Sequence, residues 1–213
     1  MIKSKIKICG IKSINTLNCC IENKVDYFGL IFYKNSPRYI KTDEALNLVQ
    51  KSKNQNISSV GVFVNEKIDE LNNLLKYLKI DNIQLHGSED NDYIKYIKRK
   101  NEIKIIKVIS VKNYDDIQKI KDFPNTDIFL FDYKPSNKEL PGGNAKTFDW
   151  NLIKDINTGK SWFLSGGINI NNISKINNYA NPYGIDISSG VENKPGIKSN
   201  EKITSLMKLY ESK

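Results

Sequence analysis

Three side chains that can take part in catalysis or binding stand at or just beyond the ends of hydrophobic segments. Cys9 ends the first such segment, Asp132 ends a later one, and Arg38 follows a proline in a polar loop. A thiolate can remove a proton, a carboxyl group can exchange one, and a planar guanidinium suits a carboxylate. Plainer interpretations remain: a buried small hydrophobe, a carboxylate paired with Lys7 or Lys107, and a solvated cation.

Strand and helix signals alternate along the whole chain and must position these side chains. The predicted strands are Ile6–Cys9, Tyr27–Phe32, Ser59–Val64, Ile83–Leu85, Ile103–Ile109, Asp127–Asp132, Trp162–Ser165 and Ile185–Ile187. The predicted helices are Ser13–Asn23, Asp43–Ser52 with Thr42 as its cap, Ile68–Leu78, Asp90–Arg99, Tyr114–Lys121, Phe148–Ile156, Ile170–Tyr179 and Asn200–Tyr210. Eight such units predict an α/β fold, a closed (β/α)₈ barrel of eight parallel strands forming one domain over residues 1–213. A doubly wound open sheet is the alternative.

In such a barrel the chemistry lies on the loops that follow the strands. The loops after the seventh and eighth predicted strands read Ser165-Gly166-Gly167 and Ser188-Ser189-Gly190-Val191. Glycine and serine at these positions allow backbone N–H groups to converge on an anion. Because the last two units of this barrel commonly bind phosphate, the two loops predict a phosphorylated small-molecule substrate.

The composition describes a globular chain with scattered positive charge. It has 33 lysines and arginines against 24 acidic residues among 213, a net charge of +9, and 39% hydrophobic residues. Because the lysines are not clustered with aromatic residues, we expect no nucleic-acid partner. No apolar run approaches the roughly 20 residues that span a bilayer. With no signal-peptide pattern and two of three cysteines adjacent, we expect no membrane partner and a cytoplasmic location.

Six motifs in register at the predicted loops together resemble one family, the phosphoribosylanthranilate isomerases, from the first strand to the last helix. The motifs are Lys7-Ile8-Cys9-Gly10, Ser36-Pro37-Arg38-Tyr39, Gln84-Leu85-His86-Gly87, Leu140-Pro141-Gly142-Gly143 with Lys146-Thr147-Phe148-Asp149-Trp150, Leu164-Ser165-Gly166-Gly167, and Asp186-Ile187-Ser188-Ser189-Gly190-Val191-Glu192. The chain departs from the family pattern at Lys12 and at Asn144-Ala145, and the second departure could alter the mobility of a loop that closes on substrate.

The resemblance implies an Amadori rearrangement in tryptophan biosynthesis, without a metal or organic cofactor. N-(5-phosphoribosyl)anthranilate would become 1-(2-carboxyphenylamino)-1-deoxyribulose 5-phosphate. By the same resemblance Cys9 would be the general base, Asp132 the general acid, and Arg38 the group that holds the anthranilate carboxylate. The phosphate would be bound by the loops that contain Gly166, Gly167, Asp186, Ser189 and Gly190. We expect a monomer, with a homodimer as the alternative.

The chemistry of this rearrangement calls for the same residue types. Opening the ribose ring needs an acid at the ring oxygen, and forming the enolamine needs a base at C2 of the sugar. We therefore expect neighbouring lysines or the substrate to lower the pKa of Cys9 from its usual value of about 8.5. For His86, the only histidine, a structural hydrogen bond is at least as well supported as a role in orienting groups of the pocket, and it is left out of the catalytic set.

Three other functions compete with this one. An indole-glycerol-phosphate synthase would be expected to use a lysine and a glutamate, and to have a longer segment before the first strand than Met1–Ser4. A basic RNA-binding module conflicts with the scattered charge. A degenerate barrel kept as a scaffold conflicts with the presence of Cys9, Arg38 and Asp132.

Overall fold

In the described part of the chain, eight parallel strands close into a barrel in chain order. The computed structural model describes residues 3–136, 139 and 142–212. Each strand pairs with the next, and β8 pairs with β1. The strands are β1 (Lys5–Cys9), β2 (Tyr27–Ile31), β3 (Ser58–Phe63), β4 (Asn82–Leu85), β5 (Lys104–Val111), β6 (Ile128–Tyr133), β7 (Ser161–Leu164) and β8 (Gly184–Ile187). The predicted barrel is confirmed, and the open sheet is excluded by the β1–β8 pairing.

Six α-helices among the described residues cover the outside of the barrel, and most begin where their capping residues predict. They are α1 (Ile14–Glu22), α2 (Thr42–Ser52), α3 (Ile68–Leu78), α4 (Asn91–Lys100), α5 (Tyr114–Gln118) and α6 (Asn200–Glu211). The side chains of Ser13 and Asp90 accept backbone N–H groups at the starts of α1 and α4. The predicted Thr42 cap is wrong, because Thr42 is the first helical residue. The cap is Lys41, whose N–H donates to Glu44 at 3.2 Å.

The sixth and seventh units differ from the prediction. In place of the helices Phe148–Ile156 and Ile170–Tyr179, the structure has 3₁₀ turns at Trp150–Ile153 and Ile173–Asn178. Asparagine side chains bind backbone N–H groups within the second segment, as in the 2.9 Å contact from Asn169 N to Asn172 Oδ1. Such local hydrogen bonds compete with the helical ladder, so the α-helix does not form. A third 3₁₀ turn, Lys119–Asp122, extends α5.

A short antiparallel hairpin after β8 was not predicted. It consists of β9 (Glu192–Lys194) and β10 (Ile197–Lys198) and follows a 3₁₀ turn at Ser189–Val191. Gly196 in its turn has φ +82°, and a Cβ there would come within 2.3 Å of Pro37 O. The glycine therefore lets the hairpin pack directly on the loop after β2.

The barrel interior has an apolar part and a polar part. Val60, Ile106, Val108, Ile128, Leu130 and Phe163 form one buried cluster, separate from the larger core that includes Ile6, Ile8 and the buried faces of the helices. Side chains alternate along a strand, so Lys7 and Cys9 point to the opposite side of β1 from Ile6 and Ile8. Lys7 and Cys9 therefore face the barrel interior. There Lys7 contacts Gln84 and Asp186, and all three are buried. This polar layer lies beneath the loops that follow the strands.

Candidate active site

A cleft of about 550 Å³ opens at the carboxyl ends of the strands and brings the predicted chemical groups together. Its lining includes Cys9, Arg38 and Asp132, as well as His86 and Asp186. Cys9 and Asp132 come from β1 and β6, which do not pair with each other. A small molecule held between them can therefore meet a thiol and a carboxyl group from different directions.

Cys9 is buried at the end of β1, next to a position that must be glycine. A Cβ on Gly29 of the adjoining strand would lie 2.7 Å from the Cys9 sulfur. Burial raises the pKa of the Cys9 thiol, while the positive charges of Lys7 and Lys198 oppose the rise. The expectation of a lowered pKa is thus wrong for the substrate-free structure, because removal from water outweighs the two lysines.

Lys7 holds together the polar layer beneath the thiol. Its Nζ lies 2.9 Å from Asp186 Oδ1 and 3.0 Å from Gln84 Oε1, and the side chain is fully buried. Burial acts to lower the pKa of Lys7, but the negative charges of Asp186 and Cys9 outweigh it and raise the pKa. Asp186 was predicted to lie in a phosphate-binding loop. It lies instead at the end of β8, where it is ion-paired to Lys7, and it also lines the recess that the two glycine-rich loops border.

Asp132 is buried at the cleft edge of β6 and accepts the N–H of Tyr133 on Oδ1 at 2.8 Å. Its Oδ2 lies 3.4 Å from His86 Nε2. The suggested structural pairing with Lys7 or Lys107 is not observed, since Lys7 pairs with Asp186 and Lys107 with Glu89. The carboxyl group therefore faces the cleft and the imidazole of His86, not a buried lysine.

Arg38 is held by an acidic residue from the unpredicted hairpin. Its Nε and Nη2 donate to the two carboxylate oxygens of Glu192, each at 2.8 Å. Burial acts to raise the pKa of Glu192, but Arg38 and Lys198 outweigh it and lower the pKa. Lys198 Nζ lies 2.7 Å from Glu192 Oε1. One edge of the guanidinium is thus already paired, and Nη1 is the nitrogen that does not bond to Glu192.

The two glycine-rich loops border a second recess of about 320 Å³ that adjoins the cleft. Gly166, Gly167 and Ser189 line the recess, which shares Asp132 and other residues with the cleft. Gly166 and Gly167 have φ of +92° and +61°, which a glycine adopts without strain. Gly190 does not line the recess.

Gly190 instead packs beneath the loops, where a Cβ would come within 2.0 Å of Ile168 O. Of the motif in the loop after β6, Leu140 and Pro141 lie outside the described residues. Gly142 and Gly143 are described and line both cavities. This loop therefore forms a wall between the thiol side and the glycine-rich side of the site.

Residues 6–209 match the family model "N-(5'phosphoribosyl)anthranilate (PRA) isomerase". The chain belongs to the PRA isomerase family. A relative from Rhizobium etli, named N-(5'-phosphoribosyl)anthranilate isomerase, is 38% identical over 92% of this chain and 89% of its own.

Solved structures of the family show the same fold. A phosphoribosyl anthranilate isomerase from Thermotoga maritima superposes with a TM-score of 0.87 and 31% identity, covering 99% of this chain and all of its own. A second PRA isomerase, in complex with reduced 1-(o-carboxyphenylamino)-1-deoxyribulose 5-phosphate, has a TM-score of 0.84 and 29% identity, with coverage of 99% and 100%. In the described part of this chain, no helix combines the length and hydrophobicity needed to cross a membrane.

Four polar residues of the site were missed by sequence reasoning: Lys7, Gln84, Glu192 and Lys198. Lys7, Gln84 and Glu192 stand inside the motifs given above. Lys7 was missed because a lysine that alternates with isoleucine is typical of a solvated strand face. The barrel reverses that interpretation because both faces of its strands are buried. Lys198 had no signal of its own, since it becomes part of the site only through the hairpin.

Proposed function

We propose that this chain catalyses the PRA isomerase reaction of tryptophan biosynthesis, with Cys9 as general base and Asp132 as general acid. The observation that carries the proposal is that one cleft is lined by a thiol and a carboxyl group from strands that do not pair. The Amadori rearrangement needs one proton delivered and another removed on the same sugar. Family membership supports the substrate, and the cleft supports the assignment of roles.

The first step would be ring opening by Asp132. Its proton goes to the ring oxygen of the ribose, the bond from C1 to that oxygen breaks, and the anthranilate nitrogen supplies the electron pair for a protonated imine. Asp132 becomes a carboxylate, whose Oδ1 already accepts the N–H of Tyr133 at 2.8 Å. A donor that is in place before the charge forms stabilises it without reorganisation.

The second step would be proton removal by Cys9. The thiolate takes the proton on C2, the electron pair forms the C1–C2 double bond, and the iminium nitrogen becomes neutral. The resulting enolamine gains a proton at C1 and loses the one on the C2 oxygen, which gives the ketone. Lys7 and Lys198 act to favour the thiolate, although burial still raises the thiol pKa before substrate binds.

Substrate binding would use both ends of the site. The Nη1 side of Arg38 would receive the anthranilate carboxylate, with Glu192 holding the guanidinium in orientation. The recess bordered by Gly166, Gly167 and Ser189 would take the phosphate. Gly190 would contribute by letting the two loops approach closely. Asp186 would act on the thiol side through Lys7.

The remaining properties also stand as proposals. The enzyme would need no metal or organic cofactor, because both proton transfers are assigned to side chains of the cleft. It would act as a monomer in the cytoplasm, and a homodimer is the other outcome of a light-scattering measurement.

The decisive experiment incubates the purified protein with freshly made N-(5-phosphoribosyl)anthranilate and follows formation of the ketose product. Asp132→Asn is the test variant, because the amide keeps the shape of the group without an acidic proton. We expect a kcat loss of about 10²–10⁴-fold with little change in KM. Full activity in Asp132→Asn would remove the acid assignment, and absence of product with the wild-type protein would remove the function.

A further inference from the structure

A continuous chain of polar side chains joins the thiol side of the cleft to Asp132. It runs from Asp186 through Lys7, Gln84 and His86 to Asp132. Successive polar atoms are 2.9, 3.0, 3.2 and 3.4 Å apart. The His86 side chain is only 10% exposed, and Gln84 and Lys7 are buried. Two of its members, Gln84 and His86, have no role in the reaction as described so far.

The ammonium group of Lys7 determines the direction of the hydrogen bonds in this chain. An ammonium only donates, so the Gln84 atom that it meets must be the carbonyl oxygen. The amide nitrogen of Gln84 then faces His86 Nδ1, and that nitrogen also only donates. His86 Nδ1 must therefore accept, which places the proton of the neutral ring on Nε2. The N–H of Nε2 is thus the group that faces Asp132.

The ring is also fixed by the loop after β6. A Cβ on Gly142 would come within 2.9 Å of His86 Cε1 and 3.5 Å of Asp132 Oδ2. The glycine therefore lets the loop lie against the ring and the carboxyl group together. The 3.4 Å between His86 Nε2 and Asp132 Oδ2 exceeds that of a well-formed hydrogen bond. Such contacts commonly shorten when substrate completes the site.

We propose that His86 is a positioning residue for Asp132, and that Lys7 and Gln84 set the tautomer through which it acts. The inference rests on the proposed function, in which Asp132 gives up a proton. The carboxylate so formed is met by Tyr133 N–H on Oδ1 and by His86 Nε2–H on Oδ2. Two donors aimed at the developing charge stabilise the transition state more than the ground state. The hydrogen-bonded side chains from Lys7 to His86 should therefore affect kcat.

The tautomer can be measured without any activity assay. His86 is the only histidine, so a ¹H–¹⁵N NMR correlation of imidazole nitrogens reports this ring alone. In the neutral ring we expect a protonated Nε2 and a bare Nδ1. In Gln84→Glu the new carboxylate can only accept, so the proton should appear on Nδ1. A protonated Nδ1 in the wild type, or an unprotonated Nδ1 in Gln84→Glu, would show that Lys7 and Gln84 do not set the tautomer of His86.

The positioning role is tested by two substitutions of the ring. His86→Leu removes the donor and should lower kcat about 10- to 100-fold, with KM within about twofold. His86→Gln places an amide N–H at a similar reach and should recover most of the loss. Melting temperatures of both variants identify a loss that is only structural. Unchanged kcat in His86→Leu, or equal losses in the two variants, would end this inference while an active wild type leaves the proposed function intact.

Discussion

Two lysines of the same barrel, Lys7 and Lys107, are both buried, and each forms an ion pair of 2.9 Å. The two lysines have different roles. Lys7 faces the interior with Cys9, whereas Lys107 lies on the outer side of β5, because Ile106 and Val108 on either side of it point inward. The face of the strand, and not the burial of the charge, decides whether a lysine reaches the reacting groups.

The partners of the two lysines show the same difference. Glu89, the partner of Lys107, accepts the N–H groups of Asn65 and Gly87 at 2.7 and 3.0 Å, so the pair ties two loops to the barrel. Asp186, the partner of Lys7, lines the cleft. A buried ion pair whose carboxylate accepts backbone N–H groups holds loops in place. A buried pair beside a thiol also controls the charge of that thiol.

The largest effect expected on the reactive side comes from the thiol itself. In Cys9→Ser a hydroxyl of nearly the same size cannot act as a base near neutral pH, so kcat should fall about 10²–10⁴-fold. Stability should be unchanged. Cys20→Ser is the matched control, because Cys20 is equally buried but lies in α1. Near-wild-type turnover in Cys9→Ser would show that Cys9 is not the general base. The ion pair of Lys7 and Asp186 would then have no reactive thiol to act on.

The comparison of the two lysines is tested directly by removing each charge. Lys7→Met and Lys107→Met both leave a buried carboxylate unpaired, and each should cost about 3–5 kcal/mol of unfolding free energy. Only Lys7→Met should also disfavour the thiolate, lowering kcat about 10- to 1,000-fold. Denaturant unfolding and kinetics on the folded protein separate the two effects. Equal kcat losses would contradict the assignment of different roles.

A smaller effect is expected at Arg38, which combines both kinds of role. Its pairing with Glu192 is structural, and its Nη1 side would bind substrate. Arg38→Lys keeps the charge beside Glu192 but removes the planar fork, so KM should rise by the equivalent of about 1.5–3 kcal/mol with kcat nearly constant. Arg99→Lys on the exposed side of α4 is the control. An unchanged KM would show that another group holds the carboxylate.

The same contrast explains which parts of the protein the sequence could predict. Apolar runs gave all eight strands in order, because burial on both faces is a local signal. The asparagine-rich segment after β7 has helical spacing, but its side chains bond to nearby backbone, and the helix does not form. The pairing of Arg38 with Glu192 joins residues 154 positions apart through a hairpin, so no local pattern reveals it. Lys7 looked solvated because its alternation with isoleucine does not show which side of β1 is interior.

The smallest expected effect is the pH dependence, and it measures how far Lys7 offsets the burial of Cys9. Burial raises the pKa of the thiol, so in the free enzyme the thiolate is the minor form at neutral pH. A raised pKa means that the reactive form is gained as pH rises. Alkylation of Cys9 by iodoacetamide, in a Cys19→Ser/Cys20→Ser background, depends on the thiolate alone and not on Asp132. Its rate should therefore climb about tenfold per pH unit from pH 7 and should not level off below about pH 8.5. A plateau near pH 7 would mean that Lys7 and Lys198 overcome burial, and that the thiolate is already formed before substrate binds.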